Sequence, residues 1–153
     1  MLNITKSVEY SLIAIQHLKQ KDRTNLSTAK DIASRYNIPY ENMAKIMQKL
    51  CKLNYLGAIK GAHGGYYLKN RTPNIKLIDF MESIEGPIGI IKCSTDSNCN
   101  IYEICNIKKP LNKINNNIRN VLNKLKINDI IKEGWSNGKT KFWRNYYLNR
   151  KCR

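Results

Sequence analysis

Two helical segments separated by a proline decide the fold, and they occupy residues 27–53, which read STAKDIASRYNIPYENMAKIMQKLCKL. Ser27 or Thr28 is a suitable N-cap for the first, short helix. Pro39 ends that helix, because the residue before a proline disfavours the helical region. A longer helix with an apolar inner face and a basic outer face is predicted over about residues 41–54. This order is typical of a helix-turn-helix, in which the second helix enters the major groove of DNA.

A glycine-rich turn between two short strands is predicted directly after these helices. Residues 56–60 and 66–68 are strand-like, and the intervening GAHGG at residues 61–65 is rich in glycine, which readily takes positive φ. Two strands around such a turn, placed after a helix-turn-helix, make a winged helix. We therefore expect a mainly α fold with a small β-wing, whose DNA-binding region covers residues 1–71.

A long helix is predicted to run from Pro110 to about Lys126. Its apolar residues recur every three or four positions and form one seam: Ile107, Leu111, Ile114, Ile118, Val121, Leu122 and Leu125. One seam on an otherwise polar helix needs a partner, and pairing with a second copy of the chain is the economical answer. Packing against its own domain is the alternative. A shorter helix is predicted over about residues 77–84. Residues 72–131 are expected to form a second region, which holds the loop with the clustered cysteines and this dimerisation helix.

The net charge of +16 indicates a polyanionic partner, although a general enrichment in lysine, asparagine and isoleucine could explain part of it. Its distribution favours DNA, since residues 1–71 hold twelve Lys or Arg against four acidic residues. Asn42 and Lys45 are the candidates for contacts to base edges. The full predicted DNA-binding set is Thr28, Tyr40, Asn42, Lys45, Lys49, Lys52, Lys60, His63 and Gly64. The last region, residues 132–153, is basic with interleaved aromatics; a disordered extension is as reasonable an interpretation as a nucleic-acid contact, and no role is assigned.

The chain is expected to be cytosolic. No apolar run approaches the length that spans a bilayer, and the start lacks the pattern of a signal peptide. Thiols stay reduced in that compartment, so clustered cysteines indicate metal or redox chemistry more often than disulfides.

Three of the five cysteines, Cys93, Cys99 and Cys105, are separated by five residues each time. Thiolates select zinc and iron–sulfur clusters. Zinc sites usually place their cysteines two to four residues apart, whereas wider gaps suit a bulkier cluster wrapped by a loop. A cluster, a zinc ion and an incidental spacing all remain open on this pattern. Three thiolates would leave one cluster position for a weaker ligand, which suits a sensor.

The combined order of motifs resembles the IscR/NsrR/RirA group of winged-helix regulators over about residues 1–131. The motifs are the helix-turn-helix, the KGAHGGY wing at residues 60–66, Glu-Gly-Pro at residues 85–87, the spaced cysteines and the long helix. The resemblance implies a homodimeric, iron–sulfur-dependent bacterial transcription factor, usually a repressor, that binds a palindromic operator in double-stranded DNA. It also implies that Cys93, Cys99 and Cys105 are cluster ligands.

The resemblance separates its branches by the fourth ligand. IscR-like proteins carry a histidine three residues after the last cysteine, where this chain has Lys108, whereas NsrR-like proteins use a carboxylate on the first helix of the other subunit, where this chain has Glu9. This implies an NsrR-like nitric-oxide sensor with a [4Fe–4S] rather than a [2Fe–2S] cluster. A solvated Glu9, an IscR-like regulator of cluster assembly, and a cluster-free regulator such as CymR, which the wing also resembles, are the alternatives. A thiol enzyme is disfavoured, because neither His17 nor His63 has a motif that pairs it with a cysteine.

Overall fold

The computed structural model describes residues 4–21, 25–89, 100–101 and 103–132. The described residues form six α-helices and one two-stranded antiparallel sheet. In chain order the elements are α1 (Lys6–Lys19), α2 (Ala29–Tyr36), α3 (Tyr40–Lys52), β1 (Leu56–Ile59), β2 (Gly65–Leu68), α4 (Leu77–Glu85), α5 (Lys108–Lys124) and α6 (Ile127–Lys132). None of the helices in the described part of the chain is long and apolar enough to cross a membrane.

Local sequence signals explain the helix-turn-helix formed by α2 and α3. Thr28 is the N-cap of α2, since its hydroxyl accepts the Asp31 amide proton at 3.2 Å while the Asp31 carboxylate accepts the Thr28 amide proton at 2.9 Å. Asn37 closes the helix in the left-handed conformation, with φ of 52°. The N-cap of α3 is Pro39, and the helix ends two residues before the predicted boundary. Both predicted helices are confirmed.

The hydrophobic core lies between α1, α3 and α4. Met43, Met47 and Leu50 form the buried side of α3, and the fully buried Phe80 from α4 belongs to the same hydrophobic cluster. Burial of each such side chain stabilises the fold by about 1.5–3 kcal/mol. The polar side of α3 is therefore turned away from the core.

The wing is a short hairpin held to the helical body. Leu56 pairs with Leu68 and Ile59 with Gly65 in an antiparallel register. A further bridge joins Ser27 to Tyr66, with the Tyr66 amide donating to the Ser27 carbonyl at 2.8 Å. This bridge ties the wing to the start of α2, so its position relative to α3 is defined by backbone contacts.

The predicted long helix is confirmed as α5, and its end lies two residues before the predicted boundary of about Lys126. The helix stops at Lys124, Leu125 is extended with ψ of 142°, and a separate helix that was not predicted, α6, follows. The break has a tertiary cause: the Leu125 carbonyl accepts the Leu77 amide at 2.8 Å, and the Ile127 amide donates to the Ile75 carbonyl at 3.0 Å. These bonds return the chain to the body, where Ile127 and Ile131 are buried.

Candidate functional site

The outer face of α3 presents the residues predicted to contact base edges. Asn42 and Lys45 are exposed in its first turns, and Tyr40 is exposed at its first position. Their exposure follows from helical spacing, because Met43 and Met47 occupy the buried face. The structure thus brings polar and cationic groups together on the part of a recognition helix that lies nearest the bases.

The predicted phosphate contacts on α3 differ in their surroundings. Lys52 is exposed in the last turn. The Lys49 ammonium instead donates a hydrogen bond to the Ile84 carbonyl at the end of α4. A phosphate contact from Lys49 stays a prediction, and it would have to compete with this bond. The bond also links the recognition helix directly to the segment that leads into the cysteines.

The tip of the wing carries Lys60 and His63, and both are exposed. The Gly64 amide donates to the Gly61 carbonyl at 2.9 Å and so closes the turn. A Cβ atom at Gly64 would lie 2.3 Å from the Ile59 carbonyl oxygen, so the turn requires glycine at this position. The predicted contact through Thr28 is less direct, since its hydroxyl is bound to Asp31 as the helix cap.

Of the three clustered cysteines, Cys105 lies within the described residues, whereas Cys93 and Cys99 lie outside them. Cys105 is a free, half-buried thiol shortly before α5. Neighbouring Ile104 is 82% exposed, and Ile101 and Ile107 are exposed as well. A cysteine with isoleucines near it in sequence is compatible with an iron–sulfur cluster, since thiolates ligate such clusters and apolar surroundings limit their exposure to solvent.

Glu9, the predicted fourth ligand, lies in the first turn of α1, where its carboxylate is 2.7 Å from the Lys6 ammonium. Among the described residues no three His, Cys, Asp or Glu side chains lie close enough together to hold a metal ion. The predicted site draws on Cys93 and Cys99, which lie outside the described residues, and on a carboxylate from a second subunit.

Sequence reasoning missed a set of hydrogen bonds among Glu82, Ile88 and Arg119, which we call the clamp. It lies just before residues 93–105, the cysteine segment. The Arg119 guanidinium donates to the Glu82 carboxylate at 2.6 Å and to the Ile88 carbonyl at 2.7 Å, while the Ile88 amide donates to the same carboxylate at 3.1 Å. The hydrogen bond from Arg119 lowers the pKa of Glu82. The clamp joins α4, α5 and the chain shortly before Cys93. The only local signal was a single arginine on a lysine- and asparagine-rich helix.

A family model described as "Rrf2: Iron-dependent Transcriptional regulator" matches residues 4–133. The chain belongs to the Rrf2 family. It is therefore a winged-helix, DNA-binding transcriptional regulator and not an enzyme. One Rrf2 relative is the HTH-type transcriptional regulator NsrR of Bacillus licheniformis, 29% identical over 132 residues that cover 85% of this chain and 92% of the relative.

Solved structures support the Rrf2 fold. CymR, the global cysteine regulator of B. subtilis, superposes with a TM-score of 0.67 at 22% identity. The superposition covers 87% of this chain and 98% of the CymR chain. IscR of T. potens superposes with a TM-score of 0.65 at 21% identity and covers 95% of this chain and 97% of its own. At these identities the two structures establish the architecture alone.

The side chains that a thiol enzyme would use are differently employed in this Rrf2 regulator. Burial raises the pKa of the Cys51 thiol on α3 and so disfavours the thiolate, which is the reactive form of cysteine. The buried His17 ring lies 3.0 Å from the Ser27 hydroxyl and 3.3 Å from the Tyr36 hydroxyl. His17 thus connects α1 to the end of α2 and to Ser27, the residue that forms a backbone bridge with the wing.

Proposed function

We propose that the protein is a homodimeric repressor that binds a palindromic operator, and that an iron–sulfur cluster, [4Fe–4S] in type, controls its affinity in response to nitric oxide or redox state. The observation that carries the DNA-binding part is the exposed face of α3. Asn42 and Lys45 lie on this face, whereas Met43 and Met47 lie on the opposite, fully buried face. The wing supplies a second cationic contact through Lys60.

The geometry supports a division of labour on DNA. Asn42 can bind adenine through two hydrogen bonds and Lys45 can donate to guanine, so they would carry sequence preference. Lys52 and Lys60 would contact phosphates and fix the position of α3 in the major groove. His63 and Gly64, at the tip of the wing, would lie against the adjacent minor groove.

An exposed apolar stripe on α5 supports the dimer. Ile107, Ile114 and Val121 are seven residues apart and all are exposed, whereas the remaining seam residues are at least half-buried against the same chain. A stripe with a seven-residue repeat is suited to pairing with another helix. Antiparallel pairing of two copies about a two-fold axis would present two α3 helices to paired half-sites.

In this proposal Cys93, Cys99 and Cys105 hold the cluster and Glu9 of the partner subunit completes its ligands. When bound, the cluster supplies a redox-active, nitric-oxide-reactive group. The residues of this chain would report its state through α4: the clamp of Glu82, Ile88 and Arg119 holds the entrance of the cysteine segment, and Lys49 joins the end of the same helix to α3. A conformational change in the cysteine segment would thereby alter the position of α3 relative to α4.

Selection of duplexes from a random DNA library tests the DNA-binding part. We expect a palindromic sequence to be enriched, with Asn42→Ala and Lys45→Ala weakening its binding by about 1–3 kcal/mol each, roughly 5- to 150-fold. Gln48→Ala, farther along the exposed side of α3, is the matched control and should cost less. Binding without sequence preference in all variants would contradict the assignment of α3.

Metal and sulfide analysis of protein isolated without air tests the cluster. We expect iron and inorganic sulfide with visible absorption, and we expect Cys99→Ala to abolish the absorption while Cys51→Ala retains it. Glu9→Ala should speed cluster loss without preventing folding. A colourless wild-type protein with stoichiometric zinc, or with no metal, would replace the cluster by a zinc site or by a cluster-free regulator of the same fold.

A further inference from the structure

A groove of about 290 Å³ lies between the first turns of α1 and the recognition helix. Its α1 wall is formed by Lys6, Ser7 and Tyr10, and its α3 wall by Asn42, Lys45 and Ile46. The groove therefore continues the surface on which α3 displays its predicted base contacts. It also brings a second lysine, from a different helix, next to Lys45.

Lys6 has one anionic partner among the described residues. Its ammonium is 2.7 Å from the Glu9 carboxylate and 5.7 Å from the centre of the Tyr10 ring. Lys6 donates this hydrogen bond to Glu9, and the bond raises the pKa of Lys6. The pair is open to water, since 72% of the Lys6 side chain and 45% of the Glu9 side chain are exposed. Exposed ion pairs of this kind are weak and exchange readily.

We propose that Lys6 is a further phosphate contact on DNA and that Glu9 competes with the phosphate for its ammonium. The inference rests on the proposed DNA-binding function of α3, since only a duplex seated there would bring its backbone to this groove. A phosphate in this groove would contact Lys6 on the α1 wall, while Lys45 on the α3 wall reaches the bases. A phosphate is a stronger partner for Lys6 than an exposed carboxylate, because its binding also releases condensed counterions from the DNA.

Glu9 then controls how readily Lys6 contacts a phosphate. Any interaction that withdraws the Glu9 carboxylate from Lys6 leaves the ammonium free for DNA. In the proposed dimer Glu9 is also a ligand of the cluster in the other subunit. The same carboxylate cannot hold Lys6 and the cluster at once, so the two interactions compete. The first turn of α1 would thereby couple the contacts of one subunit to the DNA affinity of the other.

Binding of the selected duplex over a range of salt concentrations tests this proposal in protein stripped of metal. Lys6→Gln should weaken binding and reduce the slope of log affinity against log salt by about 0.9, as expected for one lost phosphate contact. Glu9→Gln should strengthen binding about two- to fivefold. Lys19→Gln, about 20 Å away at the other end of the same helix, is the matched control and should leave the slope unchanged.

The double variant separates competition from simple repulsion between Glu9 and DNA. If Glu9 acts by holding Lys6, the gain from Glu9→Gln disappears in the Lys6→Gln background. An equal gain in both backgrounds, or a wild-type salt slope in Lys6→Gln, would overturn the proposal. The proposed function fails separately, through the absence of any enriched duplex or through unaltered binding by the Asn42 and Lys45 variants.

Discussion

Replacement of Arg119 by methionine tests the clamp that holds the entrance of the cysteine segment. Methionine keeps an apolar stem but removes the guanidinium, which donates to Glu82 at 2.6 Å and to the Ile88 carbonyl at 2.7 Å. Hydrogen bonds of charged groups contribute about 1.5–3 kcal/mol when they are well buried. Here 37% of the Arg119 and 27% of the Glu82 side chain are exposed. We therefore expect a loss of about 1–2 kcal/mol after allowance for solvent screening.

Urea denaturation measures that loss as a lower midpoint at an unchanged slope. The pH dependence gives a second measurement. Because Arg119 lowers the pKa of Glu82, the stabilisation is present above the ordinary glutamate pKa of about 4.3 and is lost as the pH falls through the lower, folded-state pKa. Arg119→Met should reduce this acid-dependent loss. The Ile88 amide, which donates to Glu82, should also exchange its hydrogen faster in the variant.

Arg71→Met is the matched control, because Arg71 is exposed and donates a long hydrogen bond of 3.3 Å to the Asn54 carbonyl. We expect it to cost less than about 0.5 kcal/mol. Wild-type stability and wild-type exchange at Ile88 in Arg119→Met would refute the clamp as a structural element.

Three further substitutions test the wing, the buried histidine and the dimer. Gly64→Ala should destabilise the protein by about 1–3 kcal/mol in urea denaturation, because the added Cβ would meet backbone oxygens that cannot move away. His17→Gln should flatten the pH dependence of stability: burial lowers the pKa of His17, so wild-type stability is fully present above about pH 6.5 and falls as the pH drops below it. Ile114→Glu should weaken dimerisation at least about tenfold in sedimentation experiments, because a charge would enter the apolar stripe of α5.

Each of these substitutions has a matched control in the chain. Gly57→Ala should cost less than Gly64→Ala, because the three atoms nearest to the added Cβ lie at the end of the Tyr67 side chain and not in the backbone. His63→Gln, on the exposed wing, should leave the pH dependence of stability as in the wild type. Asn116→Glu adds the same charge to the opposite side of α5 and should leave the dimer intact. Equal effects of a substitution and its control would contradict the corresponding assignment.

The elements that sequence predicted best are those with local chemical signals. Thr28, one of the two predicted N-caps, marks the start of α2, Pro39 marks the break before α3, and the glycines of the wing mark its turn. Each signal acts through atoms within a few residues of it, so it can be recognised without knowledge of the tertiary structure. The winged helix followed from their order.

The features that sequence did not predict depend on contacts between distant segments. The break after α5 arises because residues 125–127 pair with residues 75–77. The sequence near Leu125 contains no local signal, such as a proline or glycine, that would predict the break. The Arg119 clamp and the bond from Lys49 to Ile84 likewise require the placement of α4 between its neighbours. The roles of Cys93 and Cys99 stay predictions, since they lie outside the described residues.

The affinity of the protein for its selected duplex, measured without air before and after removal of iron, tests the central claim most directly. The account predicts that the two dissociation constants differ by at least about tenfold, which corresponds to a coupling free energy of about 1.4 kcal/mol between the cysteine site and α3. Equal dissociation constants for the iron-loaded and iron-free protein would contradict the claim that an iron–sulfur cluster controls DNA binding.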